Sequence, residues 1–464
     1  MATAVIDEEA AQTLKAGLRG EVILPDDEGY ETARRVWNGL IDRRPALIAR
    51  CAGAADVLDA VRFAHANDLV VAVRGGGHNL GGFGTCDGGI VIDLSLMKGI
   101  RVDPRSRVVR AEGGVKWGEL DHETQAFGLA TTGGLVSTTG IAGLTLGGGS
   151  GWLSRKHGFS CDNLLSADVA TADGRLLTAS HDENDDLFWG LRGGGGNFGI
   201  VTSFEYRVHP VGPMILGGAV FYPVEQAMDF LRFYREWTPT LPDEVGTDAA
   251  FLTAPEAPFI PEHLQGTPMI GLALCYSGPL EGGEEAIKGL REFGPPAIDL
   301  VGPMPYTALQ GMFDPFFPHG ICSYWKTEYV DNLSDGAIET IISHVAKAPS
   351  ALPQLHIEQQ RGAVARVGRD ETAFSHRDAG YRVLAVALWT DPAETEMQVE
   401  WAREGSRAIK PFSTGGVYLN FLGEEGEGRV RAAYRPETYA RLAALKAKYD
   451  PTNFFRLNQN IKPA

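Results

Sequence analysis

Between residues 54 and 67 the apolar side chains Val57, Leu58, Val61 and Ala64 recur at helical spacing, with Asp56 near the start of the run. That pattern predicts an amphipathic helix with its acidic residue at the favourable end. Directly after it, Val70-Val71-Ala72-Val73 carries no charge and runs into Arg74-Gly75-Gly76-Gly77-His78-Asn79-Leu80, a strand entering a glycine turn. Residues 90–94 and 108–111 read as further strands, residues 117–120 open another helix, and residues 1–40 read as an acidic helical lead-in. Strands alternating with helices make residues 40–212 an α+β region, closed by the proline-punctuated Val208-His209-Pro210-Val211-Gly212-Pro213.

Beyond residue 213 the texture changes. Candidate strands at 214–222, 269–276, 356–360 and 381–389 are separated by helical runs at 225–237 and 335–346. The expectation is an antiparallel sheet backed by helices. Proline clusters at 255–268 and 303–318 are interrupted by aromatic and aliphatic residues, which suits lining loops.

Bulk properties narrow the function classes. A chain of 464 residues is long enough for two or three domains. Its net charge of −17 leaves no basic stripe for nucleic acid. No stretch reaches the roughly 18 apolar residues of a membrane span. Five cysteines without a CxxC pair suit a reducing compartment, and the N-terminus lacks the basic and apolar regions of a secretory signal, so a cytoplasmic location is expected.

The chemistry concentrates in glycine-rich loops. Besides residues 75–77, such loops occur at 131–151 and at Gly193-Gly194-Gly195-Gly196-Asn197-Phe198-Gly199. Glycine admits positive φ and removes Cβ, so successive N–H groups can converge on an anion such as a diphosphate. Three such loops within 200 residues suggest one long phosphate-bearing ligand. His78, at the rim of the first, could ligate a metal, act as a base or be alkylated by an electrophilic cofactor. Residues 194–199 satisfy GxGxxG, but Ile200-Val201-Thr202-Ser203-Phe204 follows as a strand, whereas a nicotinamide-binding Rossmann unit needs a helix there. The histidines show no HxxxH or HExxH spacing, so no metal site is expected.

Arg74-Gly75-Gly76-Gly77-His78, Gly158-Phe159-Ser160-Cys161-Asp162-Asn163, Tyr418-Leu419-Asn420 and the closing run 449–461 occur in an order that resembles the berberine-bridge-enzyme-like branch of the vanillyl-alcohol-oxidase flavoproteins. The resemblance spans residue 40 to the C-terminus. It implies a two-part FAD-binding domain of the PCMH type (1–212 and 412–464) around a substrate domain (213–411). It further implies FAD bound covalently twice, through His78 and Cys161. Arg74, Gly75, Gly76, Gly77, Asn79, Leu80, Thr139, Gly140, Gly143, Gly147, Ile200, Val201, Asn458 and Asn460 are the other cofactor-binding residues implied.

The same resemblance makes Tyr418 the group that removes a substrate proton as hydride leaves for the flavin, with Asn420 beside it on an alternating strand. A free phenol titrates at about 10, so the role needs a lowered pKa or a proton-accepting partner; the other reading is a core tyrosine. Glu358, alternating with Gln360, is a second catalytic candidate or a plain exposed glutamate. Leu164 corresponds to the position beside the flavin's reactive face that bears on dioxygen access. The implied activity oxidises an alcohol, a sugar or a C–H next to a heteroatom, with dioxygen reduced to hydrogen peroxide, in a monomer or homodimer. A dehydrogenase with another acceptor and a non-catalytic flavin carrier remain the alternatives.

Overall fold

A computed structural model of the chain describes residues 8–257 and 260–464. Three sheets carry the fold. The first orders its strands β1-β2-β4-β3, where β1 is Glu21–Ile23, β2 Leu47–Arg50, β3 Val71–Arg74 and β4 Ile90–Asp93. β4 is buried along its whole length and pairs in parallel with both neighbours, its apolar Ile90-Val91-Ile92 ending in Asp93, which is paired with Arg74. The predicted helix forms as Ala54–Ala66 and packs Val57, Ala60, Val61 and Ala64 on this sheet. The lead-in is only partly helical: Glu8–Gly17 is a helix, but Glu21–Ile23 pairs with β2, so two consecutive buried apolar residues, Val22 and Ile23, override the acidic setting.

The second sheet is antiparallel in the order β5-β6-β9-β7-β8: β5 Ile100–Asp103, β6 Val108–Glu112, β7 Leu164–Ala170, β8 Leu176–Ser180 and β9 Ile200–Arg207. Its core contains Leu120, Phe204 and Tyr206 together with Val417, Leu442 and Ile461 from the chain's end. There Lys446 and Asp450 are fully buried as a pair, 2.7 Å apart. The Lys446 ammonium also donates to the carbonyls of Asn197 and Phe455, and Asp450 accepts the N–H groups of Phe454 and Phe455. One buried cation thereby ties the last helix, Pro436–Tyr449, to the third glycine loop.

The third sheet has eight strands and is antiparallel. Its main strands are β10 Met214–Pro223, β11 Val245–Thr253, β12 Pro268–Tyr276, β13 Cys322–Val330, β14 Gln354–Gln359 and β15 Tyr381–Trp389, in the order β10-β12-β11-β14-β15-β13. Helices Ala227–Trp237, Asp335–Val345 and Thr395–Ile409 back it. All nine residues of β15 are buried, hence its near-continuous apolar sequence. β11 and β13 escaped the sequence reading because Asp248, Lys326 and Glu328 break the apolar pattern. Among the described residues no helix is long and apolar enough to cross a membrane.

Candidate functional site

The turn after β3, the two later glycine loops, the open face of the third sheet and the chain's end enclose one cavity holding about 1900 Å³ outside protein atoms, its open mouth included. Arg74, Gly75, Gly76, Gly77, His78, Asn79 and Leu80 form one wall; Thr139, Gly140 and Gly143 adjoin it. Ile200, Val201 and Asn458 close a second side, and Glu358, Tyr418 and Asn420 stand on the side of the third sheet.

The first wall is built for close approach. A Cβ on Gly76 would lie 2.2 Å from the Gly140 nitrogen, and one on Gly140 would lie 2.3 Å from the Gly76 nitrogen, so the loops interleave through missing side chains. Gly77 takes φ +73°, which turns the backbone inward. Among the described residues the N–H groups of Gly76, Gly77, His78 and Asn79 find no protein acceptor, and all four residues line the cavity. Arg74 anchors this turn through Asp93 at 2.7 Å. Asn458 donates to the Gly196 and Phe455 carbonyls while its Oδ1 is buried without a partner. A diphosphate-bearing cofactor such as FAD fits these open donors and this cradle.

His78 stacks on Trp37, ring centroids 5.0 Å apart and 18° from parallel. Thr138 Oγ1 lies 3.0 Å from its Nε2 and Thr139 Oγ1 3.4 Å from its Nδ1. Burial, with Lys116 and His319 nearby, pushes its pKa down to about 3. The imidazole is therefore neutral and keeps a lone pair.

Cys161 is elsewhere. It is fully buried among Phe159, Phe374 and Tyr418, with its N–H bonded to the Gly148 carbonyl, and it does not line the cavity. Burial, with Asp162 beside it, drives the thiol well above its ordinary pKa. Attack on a ring needs an accessible thiolate, and this side chain is buried off the cavity wall. Of the two residues expected to link the flavin, His78 lines the cavity and Cys161 does not. Leu164 likewise lies in the core of the second sheet and off the cavity wall. Gly147 sits behind the wall, where a Cβ would be 1.9 Å from Asn420 Oδ1, and Asn460 is also off it.

Tyr418 and Asn420 do come together, though not on a strand: Leu419–Phe421 is a 3-10 turn. The Tyr418 hydroxyl oxygen, almost wholly buried, accepts hydrogen bonds from Gly149 N–H (3.0 Å), Ser150 N–H (3.1 Å) and Asn420 Nδ2 (3.0 Å). Three donors on one phenolic oxygen favour its ionised form. Burial raises the phenol's pKa above the ordinary value; Arg382 and the three donors oppose that rise without cancelling it.

Glu358 is not an exposed glutamate. Asp248, Glu358, Arg382 and Tyr329 sit opposite one another on the adjacent strands β11, β14, β15 and β13, forming one row across the sheet. Glu358 forms a buried ion pair with Arg382, whose guanidinium lies 4.3 Å from the Tyr418 ring centroid and 4.9 Å from that of Phe421. Burial raises the Glu358 pKa, helped by Asp248 and opposed by Arg382 and His356. His356 Nδ1 lies 2.8 Å from Asp248 Oδ2 and its Nε2 lies 2.9 Å from Gln354 Oε1. Burial disfavours charge on His356, but Asp248 and then Glu358 outweigh it, so its pKa stands above the ordinary value.

Asp248, His356, Arg382 and Trp37 escaped the sequence reading. A signal existed for Arg382: it is the single charge in a nine-residue strand otherwise composed of apolar and aromatic residues. Such a charge is buried, and buried charges are paired.

Residues 45–180 match the family model described as an FAD binding domain, and residues 417–462 the one described as berberine and berberine-like. The chain is 34% identical to (R)-6-hydroxynicotine oxidase of Paenarthrobacter nicotinovorans, covering 96% of this chain and 97% of that protein. It is 32% identical to an FAD-linked oxidoreductase of Dictyostelium discoideum, over 96% and 95% of the two chains. A crystal structure of 6-hydroxy-D-nicotine oxidase from Arthrobacter nicotinovorans superposes with a TM-score of 0.87 at 34% identity, over 97% of this chain and 99% of that one. A berberine-bridge-enzyme-like protein of Physcomitrella patens shares the fold, with a TM-score of 0.86 at 24% identity over 98% and 99% of the chains.

Proposed function

The chain belongs to the berberine-bridge-enzyme-like FAD-linked oxidoreductases, and from that premise we propose that it holds FAD through one covalent bond, at His78, and oxidises a small molecule whose proton is taken by Tyr418. The observation that carries this reading is a shared cavity: the open N–H groups of residues 76–79 on one wall, the three-donor Tyr418 hydroxyl on another. The chemistry that bound FAD supplies is two-electron, namely hydride acceptance at N5 and then reduction of dioxygen to hydrogen peroxide or of another acceptor.

The chain's own contributions follow from the geometry. The nest at residues 76–79 and Asn458 bind the diphosphate end. Thr138, Thr139 and Trp37 hold the neutral His78 ring in one orientation, with its lone pair available. Gly149, Ser150 and Asn420 stabilise negative charge on the Tyr418 oxygen, and Arg382 does so through the ring face. Tyr418 then receives the proton that leaves a substrate hydroxyl or amine as the adjacent C–H is broken. Residues 1–212 and 412–464 are read together as the FAD-binding part, supported by their shared core, and residues 213–411 as the substrate-binding part. The substrate class is an alcohol, a sugar or a C–H beside a heteroatom; (R)-6-hydroxynicotine oxidase among the relatives lends weight to the last.

Anaerobic mixing of the purified protein with a panel of amines, aromatic alcohols and sugars tests the reading directly. Bleaching of the flavin absorbance by at least one compound is expected, and peroxide should appear once air is admitted. A flavin that no compound bleaches would sink the oxidoreductase assignment for this cavity.

A further inference from the structure

The ring laid against His78 does not take its place from the glycine loops. Trp37 is 3% exposed and lines the cavity, stacked on the His78 imidazole with centroids 5.0 Å apart and planes 18° from parallel. Its Nε1–H donates to the Phe317 carbonyl, at 3.0 Å, in the substrate-binding part. Trp325, on β13 of the same part, stands edge-on to the indole at 6.4 Å.

The chain around Trp37 is a strap between two regions. Gly39 N–H donates to the Ile321 carbonyl and Gly320 N–H to the Trp37 carbonyl, both at 2.9 Å. Asn38, 1% exposed, uses its amide as a second peptide group: Oδ1 accepts the Ser323 N–H at 3.0 Å and Nδ2 donates to the Ser323 carbonyl at 2.9 Å. On the other side, Nδ2 also donates to the Leu80 carbonyl at 3.2 Å, and Trp37 N–H to the Gly77 carbonyl at 3.1 Å. Residues 37–39 thus join the turn that carries His78 to the segment 317–323, and the segment holds the larger share of the bonds.

The chemistry at His78 makes the ring's placement matter. In attachment, one imidazole nitrogen bonds to the carbon of the flavin's 8α-methyl group, that carbon loses one hydrogen as a proton, and the imidazole loses its N–H proton. The two electrons of the broken C–H bond pass into the isoalloxazine and on to dioxygen, which leaves with two protons as hydrogen peroxide. The attacking lone pair lies in the imidazole plane, and a misplacement of about 1 Å can cost about a hundredfold in rate. Stacking on Trp37 fixes that plane, while Thr138 and Thr139 fix the rotation within it.

We infer that Trp37 is a positioning residue for flavin attachment and that the substrate-binding part sets its position, so the bond at His78 forms at full rate only with residues 213–411 docked on the FAD-binding part. This rests on the covalent reading at His78. It adds a device that keeps an unassembled chain from locking in its cofactor.

Full-length apoprotein from a riboflavin-starved host, mixed with FAD in aerated buffer, separates binding from bond formation. Quenching of FAD fluorescence gives the affinity, and acid-precipitable flavin against time gives the attachment rate. Trp37→Leu should bind FAD within about threefold of the wild type yet attach it at least about tenfold more slowly. Trp37→Phe keeps a ring face without the bond to Phe317 and should fall between the two. Asn38→Ala leaves both rings in place and cuts the strap; attachment should slow by about threefold or more. A wild-type rate in Trp37→Leu, or losses of FAD affinity and melting temperature in step with the loss of rate, would reduce Trp37 to packing and overturn the proposal. A wild-type rate in Asn38→Ala would overturn the dependence on docking. If Trp37→Leu does not fold, Trp37→Phe decides, and an unchanged rate there overturns the proposal. A wild type that never forms acid-stable flavin would remove the covalent reading and this inference with it, whereas variants that attach flavin as fast as an attaching wild type would remove this inference alone.

Discussion

Arg382 places its guanidinium carbon 4.3 Å from the Tyr418 ring centroid while its Nη2 is paired with Glu358. A cation over the face of a phenol stabilises the phenolate, and the effect grows in a water-poor site. Burial works in the opposite direction and dominates, so the Tyr418 pKa stands above its ordinary value although Arg382 opposes the rise.

Tyr418→Phe removes the oxygen that three N–H groups address. Flavin content should be unchanged, and the rate of anaerobic flavin reduction should fall by about 10²–10⁴-fold, as for loss of a general base. Stopped-flow absorbance measures it. An unchanged rate would transfer the proton to another group or to water.

The sign of the pH dependence follows from the same pair. In the proposed role Tyr418 acts ionised, so flavin reduction should accelerate as pH rises through its pKa. Arg382 lowers that pKa; Arg382→Met should therefore displace the rising limb to higher pH, by about one unit or more if the cation is worth about 1.4 kcal/mol or more. Arg382→Lys keeps the charge and should stay nearer the wild-type profile. A profile that does not move in the methionine variant would show that Arg382 serves only Glu358.

Attachment of the cofactor should depend on one residue. Intact mass of the wild type is expected to exceed the polypeptide by one flavin, and acid precipitation should leave the yellow colour in the pellet. His78→Ala should release the colour entirely, and Cys161→Ser should retain it. Two separate bonds would be indicated if His78→Ala kept covalent flavin.

Much of this was legible in the sequence, and the failures have physical causes. The nest at residues 75–77 and the ring at His78 were readable because two further glycine loops follow within 200 residues and the motif around His78 resembles a known family's. Tyr418 and Asn420 were found for a wrong local reason: period-two alternation and a 3-10 turn can each bring residues i and i+2 together. That Cys161 is buried off the cavity wall was not legible, because a cysteine's exposure is not written in its neighbours. Asp248 and His356 were invisible because they meet across strands more than 100 residues apart in the chain.

Lys446→Met should be costly to the fold. Breaking a buried pair by removing one partner typically costs about 3–5 kcal/mol, and here the Asn197 and Phe455 carbonyls lose their donor as well. Thermal unfolding should shift down by several degrees or more. A melting curve that matches the wild type would mean that water replaces the ammonium at no cost.

The interleaving of Gly76 and Gly140 has a consequence for engineering. Each position is fixed by the backbone of the other, so no single exchange at either can be rescued by a change at its partner. In a saturation library the two should tolerate one letter each, even in combination. Diversity aimed at altering what the enzyme accepts is better spent on the third-sheet strands that line the cavity.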